Sequence, residues 1–327
     1  MPAIQLTDFT EPIQKKLDEV ESIIARTLKT KNMFIQQMVD HLALGSGKRI
    51  RPMLAILSAQ YCGNLNSEVV TLGAALEMLH VATLIHDDII DNSPIRRKQK
   101  TLNFKWGNEV SVLMGDYVFS SSFYLMTQSL SKDVLKILSD TTNIICKGEI
   151  SEIFQRFNTD LTEKEYLEII QEKTASLMAV SCQAAAIISG GSPQIAEALY
   201  QFGLNLGIAF QIVDDLLDFS REKEKVGKPV MNDLKEGKLT LPMIHCLNNS
   251  TKSERSRLKK IILKKIKNKE DLKFVLRLVE KQQSILYSRK CARDFVTQAQ
   301  SGLLQLNANF KQTELFHLSD FLIGRDF

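Results

Sequence analysis

The chain has 327 residues, of which 44% are hydrophobic and 24% charged, a composition typical of folded globular proteins that excludes the disordered, collagenous and disulfide-rich classes. Its formal net charge of +4, from 42 basic and 38 acidic residues, is too small to indicate nucleic acid as a partner. The five cysteines are scattered without a CxxC pair, which favours reduced thiols in a cytosolic protein.

Apolar residues recur three and four positions apart along most of the sequence, which predicts a chain that is helical almost throughout. Seven prolines and few Asn-Gly or Asp-Gly turns leave little room for hairpins. No fixed-period repeat, low-complexity tract or Gly/Ser linker interrupts the pattern. We therefore predict one all-α domain, a helical bundle, over residues 1–327.

The N-terminal segment lacks the basic region and apolar core of a secretory signal. No apolar run reaches the roughly 18 to 20 uncharged residues of a membrane span. We therefore expect a cytoplasmic protein, and peripheral membrane contact stays an open alternative.

The first motif is GSGKRIRP at residues 45–52, in which two glycines precede Lys48, Arg49 and Arg51. Glycine lets the backbone approach an anion closely, and Arg binds phosphate as a fork where Lys acts as a point charge. The motif lacks the spacing of a P-loop, and no strand–helix unit surrounds it. On its own it is equally typical of a solvated basic turn.

A helix is predicted from about residue 68 to 92, with Ser67 as its N-cap. Its C-terminal end carries Asp87, Asp88 and Asp91, and this spacing puts the three carboxylates on one side of the helix. They repel one another and the negative end of the helix dipole, so the arrangement needs a compensating partner.

Two long helices follow later in the chain. A capping box of Thr162 and Glu165 begins one that continues to about Ile188, and Ser192 with Pro193 begins the next. The second half of that next helix is apolar around most of its circumference, which is typical of a helix in the centre of a bundle.

This central helix carries a second DDxxD string, formed by Asp214, Asp215 and Asp218. Salt bridges to neighbouring helices would explain one such cluster, but two copies in apolar helices favour a divalent metal ion. Carboxylate oxygens without His or Cys partners suit Mg²⁺, with Mn²⁺ as a substitute, and disfavour zinc. Mg²⁺ held by few carboxylates completes its shell with water and phosphate oxygens, so the clusters predict a phosphorylated substrate.

The segment of residues 251–269 is strongly basic and opens with a capping box, Thr251 with Glu254. A solvated amphipathic helix is the favoured interpretation, with an acidic partner or membrane headgroups as the alternative.

Together these motifs resemble those of the trans-isoprenyl (polyprenyl) diphosphate synthases, most of all the bacterial octaprenyl diphosphate synthases. The likeness covers about residues 30–245, and the C-terminal helices of about 251–327 match only loosely. The matching strings, in the correct order, are GSGKRIRP, LHVATLIHDDIIDNSPIRR, GD at 115–116, EKTASL, FQIVDDLLDF and GKPVMNDLKEGKLTLP. The resemblance implies an isoprenoid synthase fold with a central apolar cavity, usually a homodimer, that condenses isopentenyl diphosphate with an allylic diphosphate.

The resemblance also assigns roles to single residues. Three Mg²⁺ ions on the allylic diphosphate would be held by Asp87, Asp88, Asp91, Asp214, Asp215 and Asp218. The same diphosphate would be contacted by Arg96, Lys173, Thr174, Gln211, Lys228 and Lys238. Isopentenyl diphosphate would be bound by Lys48, Arg51, His80 and Arg97. His80 lies two helical turns before Asp87 and points to the same side, whereas His86 is expected to make a structural hydrogen bond.

Product length is expected to depend on residues beside the first cluster. Ala82 and Thr83 would line the top of the product tunnel, and both are too small to stop growth at farnesyl length. A deeper floor set by Phe123 or Tyr124 would suit an octaprenyl product for a quinone side chain. Geranylgeranyl, heptaprenyl or solanesyl synthases stay alternatives, and a class I terpene cyclase, a non-catalytic synthase subunit or a structural bundle are more distant ones.

Overall fold

The computed structural model describes residues 9–42, 47–97, 99–219 and 231–324, and these are helical almost throughout, as predicted. The first helices are α1 Gln14–Leu28, α2 Met33–His41, α3 Ile50–Tyr61, α4 Ser67–Ile90, α5 Leu102–Trp106, α6 Asn108–Ser129 and α7 Lys132–Phe154. They are followed by α8 Glu163–Ile170, α9 Ser176–Ile188, α10 Pro193–Leu217, α11 Asn232–Glu236, α12 Leu241–Asn249, α13 Lys252–Leu263, α14 Lys269–Lys281, α15 Ser284–Leu306 and α16 Glu314–Ile323.

Short elements complete the described chain. Two 3₁₀ turns span Glu11–Ile13 and Ala308–Gln312, and a π-helical turn, Gln171–Ala175, joins α8 to α9. Strands β1 Ile95–Arg96 and β2 Gln99–Lys100 pair antiparallel as a small hairpin. The sequence left little room for hairpins, and this one has strands of only two residues. The turn contains Arg97 at φ 50° instead of the Asn-Gly or Asp-Gly pair that signals such turns.

The described residues group into two compact units. The first comprises those within 1–139 and 180–200, and the second comprises those within 140–179 and 201–327. The chain passes between them after residues 139, 179 and 200. This division into units does not test the predicted single domain or the predicted central apolar cavity, and both stay predictions.

The core of the first unit is built around α4, which packs against α1, α3 and α6. Its apolar stripe, with Val70, Ala74 and Met78, is buried together with side chains of α1 and α6. By length and apolarity α4 could span a membrane, but 72% of that window is buried inside the structure. Here α4 is therefore a core helix, and its burial fixes which way its C-terminal aspartates point.

In the second unit, glycines let two helices approach backbone to backbone. A Cβ at Gly203 would lie 2.6 Å from the Met178 carbonyl oxygen, and one at Gly207 would lie 2.5 Å from the Cα of Ala175. No larger residue fits at these contacts without displacing the backbone. This contact brings the last turns of α10 beside the π turn, where the second aspartate cluster lies.

Most of the predicted helix caps are confirmed. Both capping boxes form, at Thr162 with Glu165 and at Thr251 with Glu254. The cap predicted for α4 was wrong by one residue, since the side chain of Asn66 accepts the Val69 N–H at 3.1 Å. The amide oxygen of Asn66 reaches that donor from just outside the first turn, so Ser67 becomes the first helical residue.

Candidate active site

The first aspartate cluster lies where α4 ends. Asp91 closes the helix, and its N–H donates to the Asp87 carbonyl at 2.8 Å. Asp88 is buried, whereas Asp87 and Asp91 are half-buried. The predicted grouping of three carboxylates on one helical turn is therefore present.

The hairpin that follows brings a cation back onto this cluster. Arg96 Nε donates to Asp88 Oδ1 at 2.7 Å. The connection is fixed at the Asp88 carbonyl, which accepts from the Ser93 backbone N–H at 2.9 Å and from the Asn103 side-chain amide at 3.0 Å. Burial raises the pKa of the Asp88 carboxyl, and Arg96 partly offsets this effect. Asp88 is thus a buried carboxylate with its own counter-ion.

A group of arginines surrounds His80 in the same unit. Burial lowers the pKa of His80, and four nearby guanidinium groups, those of Arg51, Arg97, Arg96 and Arg49, lower it further. The carboxylate of Glu77, which is 2% exposed, accepts from Arg49 Nη1 at 2.7 Å. Arg49 also pairs with Glu21, so its charge is the best compensated of the four.

Of this group, Arg51 has the least satisfied side chain. Its buried Nε has no hydrogen-bond partner among the described residues. Burial lowers its pKa to about 10, with repulsion from Arg97 adding to the effect and Glu77 opposing it. A Cβ at Gly47 would lie 2.9 Å from Arg97 Nη1, so the backbone at Gly47 passes against the Arg97 guanidinium. A buried donor without a partner, among excess positive charge, is suited to an anion.

Three of the four residues predicted to bind isopentenyl diphosphate therefore lie together: Arg51, His80 and Arg97. The fourth, Lys48, is exposed. A small cavity of about 80 Å³ in this unit is lined by Arg96, Arg97 and Asp88 together with residues of α2 and α4.

The second aspartate cluster ends α10 in the second unit. Asp214 is exposed, while Asp215 and Asp218 are 8% and 6% exposed. Tyr166 Oη donates to Asp215 Oδ2 at 2.7 Å, and Gln211 Nε2 donates to Asp215 Oδ1 at 2.7 Å. The N–H of Asp233 donates to Asp218 Oδ2 at 2.9 Å. Both side-chain donors to Asp215 are therefore neutral.

The hydrogen bonds extend from this cluster into the π turn. Thr174 Oγ1 donates to Gln211 Oε1 at 2.8 Å, which orients the amide that donates to Asp215. Burial raises the pKa of Asp215 to about 7, and the donors Tyr166 and Gln211 oppose the rise. Burial also raises the pKa of Asp233 well above its usual range, and Asp215 raises it further. The carboxylates around Asp215 therefore repel one another, and its two neutral donors do not offset the rise in its pKa.

The predicted lysines of this unit are held by glutamates. Lys173 Nζ lies 2.7 Å from a carboxylate oxygen of Glu149 and 2.7 Å from one of Glu152. Lys238 Nζ lies 3.0 Å from Glu236 and 3.8 Å from Glu152. Lys228 lies outside the described residues. These ion pairs keep two cations near the cluster.

A cavity of about 320 Å³ in the second unit collects these groups. Predicted residues in its lining are Lys173, Thr174, Gln211, Asp214, Asp215, Asp218 and Lys238. Its lining also includes Tyr166, Glu152 and Asp233, which were not predicted as site residues. Asp233 was within a quoted motif, but nothing in the sequence around Tyr166 distinguishes it from an ordinary core aromatic residue.

The donor atoms of the second cavity decide which metal it fits. Its lining contains carboxylates, amides and hydroxyls but neither His nor Cys. Such hard oxygen ligands suit Mg²⁺ or Mn²⁺. Within the described ranges, no group of three or more His, Cys, Asp or Glu side chains is arranged to hold a metal by itself. The aspartates therefore fit an ion that takes further ligands from water and phosphate.

The residues assigned to product length lie in the first unit. Ala82 is fully buried in the contact between α4 and α6, and Thr83 Oγ1 donates to the His80 carbonyl at 2.8 Å. Phe123 is half-buried and packs against Phe119, with ring centroids 5.1 Å apart. Tyr124 is 66% exposed, so Phe123 is the better candidate for a tunnel floor.

His86 makes the structural hydrogen bond that was expected, with the Val112 carbonyl oxygen, and it also packs against α6. A Cβ at Gly115 would lie 2.4 Å from His86 Nε2, so the imidazole fills the space that this glycine leaves. His86 Nε2 also lies 3.4 Å from the Val112 carbonyl oxygen and from Asp116 Oδ1. The GD pair at 115–116 therefore fastens α6 to α4 beside the first aspartate cluster.

Comparison with known proteins gives a consistent result. Residues 32–279 match the polyprenyl synthetase family. The octaprenyl diphosphate synthase of Escherichia coli (strain K12) is 33% identical over 323 residues, 99% of this chain and 100% of the relative. The similarity thus extends through the C-terminal helices, beyond the range predicted from the motifs.

Two solved structures are similar over nearly their whole length. A decaprenyl diphosphate synthase from Rhodobacter capsulatus superposes with a TM-score of 0.92 at 33% identity, covering 98% of this chain and 100% of the other. A polyprenyl synthase from Caulobacter crescentus CB15, complexed with calcium and isoprenyl diphosphate, gives 0.91 at 32% identity and 98% of each chain.

Proposed function

From the membership of this chain in the polyprenyl synthetase family, which makes it a trans-polyprenyl diphosphate synthase with the isoprenoid synthase fold, we propose that it produces octaprenyl diphosphate. Isopentenyl diphosphate is added in successive head-to-tail (1′-4) condensations to an allylic diphosphate, with farnesyl diphosphate as the primer. The product supplies a quinone side chain. Sequence identity does not decide the product length, because an octaprenyl and a decaprenyl diphosphate synthase are both 33% identical to this chain. The small Ala82 and the half-buried Phe123 support the octaprenyl product.

One observation carries the substrate assignment: each unit places a DDxxD string beside cations suited to phosphate. In the first unit Asp88 lies against Arg96, close to the buried and unsatisfied Arg51. In the second unit the aspartates share a cavity with Lys173 and Lys238. The family uses a divalent metal, and the carboxylate donors support Mg²⁺, three ions with substrate bound, with Mn²⁺ as a substitute.

On the allylic side, the protein has to favour the departure of diphosphate. Bound Mg²⁺ would stabilise the negative charge that grows on the leaving group. The cations contribute to the same end, because their attraction for the diphosphate is stronger as its charge increases. The assigned contacts are Arg96, Lys173, Thr174, Gln211, Lys228 and Lys238. For Lys173 to engage the diphosphate, it has to turn from Glu149 and Glu152, which hold it at 2.7 Å.

On the isopentenyl side, Lys48, Arg51, His80 and Arg97 bind the second diphosphate. Burial and the surrounding arginines lower the pKa of His80, so it donates a hydrogen bond without adding charge. The allylic carbon–oxygen bond breaks first, which leaves diphosphate and an allylic cation. The double bond of isopentenyl diphosphate then supplies the electrons for the new carbon–carbon bond. A proton is then lost, and the released diphosphate accepts it. Apolar walls keep water from the allylic cation.

We further propose a cytoplasmic homodimer. Exposed apolar side chains on α6 support the dimer, since Leu113 is 68% and Tyr124 is 66% exposed. A second copy covering them would remove apolar surface from water. Light scattering should give the mass of a dimer, and Leu113→Glu should lower it to that of a monomer. A monomeric wild-type protein would contradict this part of the proposal.

The product assignment is tested by incubating the purified protein with Mg²⁺, farnesyl diphosphate and labelled isopentenyl diphosphate, then sizing the products. Octaprenyl diphosphate should be the longest abundant species. A shorter or longer main product would reject the octaprenyl assignment while leaving the synthase class intact. A class I terpene cyclase would instead consume the allylic diphosphate without incorporating label. A non-catalytic subunit would incorporate none with any allylic primer.

A further inference from the structure

The segment of residues 251–269, here called the basic segment, differs from the rest of the chain in charge. It contains nine Lys or Arg residues and one Glu, a net charge of +8. Because the whole chain carries +4, all other residues together carry −4. The net positive charge of this protein therefore comes from 19 consecutive residues. None of them belongs to the proposed active site.

The structure gives the basic segment an anchored face and an exposed face. It forms α13 and the connection to α14, and Leu258, Ile261 and Ile262 are buried in the second unit. Immediately after them, residues 263–266 are all exposed. Two of these are apolar, with Leu263 59% and Ile266 88% exposed. A single exposed apolar side chain is ordinary, but two at one corner within a cationic segment are not.

Several lysines of the basic segment form no ion pair with the carboxylates that the structure describes. Lys259 pairs with Asp160 at 2.5 Å, and Lys264 pairs with Asp271 at 2.8 Å. Across the part of the chain that the structure describes, no ion pair is formed by Lys252, Lys260, Lys265 or Lys269. Lys260 and Leu263 lie three residues apart on α13, so they share one helical face. The unpaired Lys260 and Lys265 thus lie within three residues of Leu263 in the sequence, and Lys265 is next to Ile266.

We propose that the basic segment docks this protein on an anionic phospholipid surface, with Leu263 and Ile266 entering the boundary between headgroups and acyl chains. Lysines around aliphatic side chains match this partner, because the ammonium groups meet lipid phosphates while the apolar tips leave water. A nucleic-acid surface would instead gain from exposed aromatic side chains, which these exposed positions lack. If the proposed function holds, this surface also delivers a long apolar product to a bilayer.

The test is co-sedimentation of the full chain with lipid vesicles, which requires no turnover and so is independent of the proposed function. Binding should occur with phosphatidylcholine mixed with phosphatidylglycerol, should be absent with phosphatidylcholine alone, and should weaken as salt is added. Absence of binding to the anionic vesicles would overturn the proposal, as would stronger binding to RNA than to those vesicles.

Two double variants separate the charge from the apolar contact. Lys260→Glu with Lys265→Glu should lower vesicle partitioning at least tenfold, since each cation near an anionic surface contributes about fivefold. Leu263→Ser with Ile266→Ser should lower it by about tenfold or more, as two apolar side chains no longer leave water. Condensation of soluble substrates should be unchanged in both.

The matched control lies in the same unit but outside the basic segment. Leu286→Ser with Lys290→Glu changes one exposed leucine, 61% exposed, and one exposed lysine on α15. This variant should sediment with anionic vesicles as the unmodified chain does. Equal losses in the control and in the basic-segment variants would show a general effect of net charge and hydrophobicity, and would overturn the assignment of the surface.

Discussion

The two DDxxD strings occupy unlike surroundings. At the first, one aspartate of three is buried, and Asp88 has a guanidinium group at 2.7 Å. At the second, Asp215 and Asp218 are both buried and accept from a phenol, an amide and a backbone N–H. Asp88 of the first cluster is thus paired with a cation, whereas Asp215 of the second accepts from neutral side chains. The DDxxD spacing groups the carboxylates in the same way at both places, but the surroundings differ in how far they neutralise the carboxylate charge.

The most severe test of this comparison removes one ligand from each cluster. Asp87→Ala and Asp214→Ala should each cut turnover by about a thousandfold or more, because neither cluster alone can hold the metals that stabilise the leaving group. Rates are measured with farnesyl and isopentenyl diphosphates at saturating Mg²⁺. Circular dichroism and thermal denaturation should show an intact fold, with stability equal or higher since like charges are removed. Near-normal turnover in either variant would reject the metal role of that cluster.

Removing the counter-ion of the first cluster should have the next largest effect. Arg96→Gln leaves Asp88 buried without its cation and removes a proposed contact to the allylic diphosphate. We expect kcat/KM for the allylic substrate to fall about a hundredfold, the range for losing one charged partner of a buried pair. Arg26→Gln, at an exposed position on α1, is the control for charge loss and should have no effect. If kcat/KM for isopentenyl diphosphate fell as much as kcat/KM for the allylic substrate, the assignment of Arg96 to the allylic diphosphate would be wrong.

Much of the helical frame could be predicted from the sequence, because its causes are local. Three-and-four periodicity, capping boxes and Pro at the first helical position act within one or two turns, and both capping boxes formed as expected. The grouping of each DDxxD on one helical turn follows from helix geometry alone. The predicted cluster of Arg51, His80 and Arg97 depended on the family resemblance, since their separation in sequence carries no distance information.

What could not be predicted depends on contacts between distant segments. Tyr166 and Asp215 are 49 residues apart, and only the packing of α8 against the end of α10 brings the phenol to the carboxylate. The π turn at Gln171–Ala175 inserts a wider turn into an otherwise regular apolar pattern. At Gly148, a Cβ would lie 2.6 Å from the backbone nitrogen of Lys173. This close approach of two backbones also depends on a residue far away in the sequence.

The pH dependence of stability should separate the two clusters. The pKa of Asp215 is raised to about 7, so the folded metal-free protein holds a proton that the unfolded chain releases near pH 4. Stability from this group is therefore fully present below about pH 4 and is lost as pH rises through about 7. Asp215→Asn should flatten the melting temperature over that interval. Asp88→Asn should flatten it less, because Arg96 opposes the effect of burial there.

These melting curves are recorded in chelator, so that bound metal does not mask the titration. In the same pH interval, Mn²⁺ binding to the unmodified protein should strengthen as pH rises, because metal and proton compete for Asp215. If the melting temperatures of the unmodified protein and of Asp215→Asn change equally between pH 4 and 7, the environment assigned to Asp215 is wrong.

The smallest expected effect concerns the neutral support of the second cluster. Tyr166→Phe removes the hydroxyl that donates to Asp215 at 2.7 Å and leaves the ring in place. Metal affinity measured by calorimetry with Mn²⁺ should fall about tenfold, the lower range for losing a group that orients a ligand. Turnover at saturating metal should fall less. The loss should be insensitive to salt, since the phenol is neutral, whereas the loss in Arg96→Gln should vary with ionic strength.

Tyr287 provides a matched control for this last variant. It lies in the same unit, and its hydroxyl also donates to a carboxylate, that of Glu163, at 2.8 Å. Tyr287→Phe should leave Mn²⁺ affinity unchanged, although both variants lose one phenol–carboxylate bond and with it about 1 kcal/mol of stability. If Tyr287→Phe weakens metal binding as much as Tyr166→Phe does, the effect is one of general stability. Tyr166 would then have no part in positioning Asp215, and the contrast between the clusters would depend on Arg96 alone.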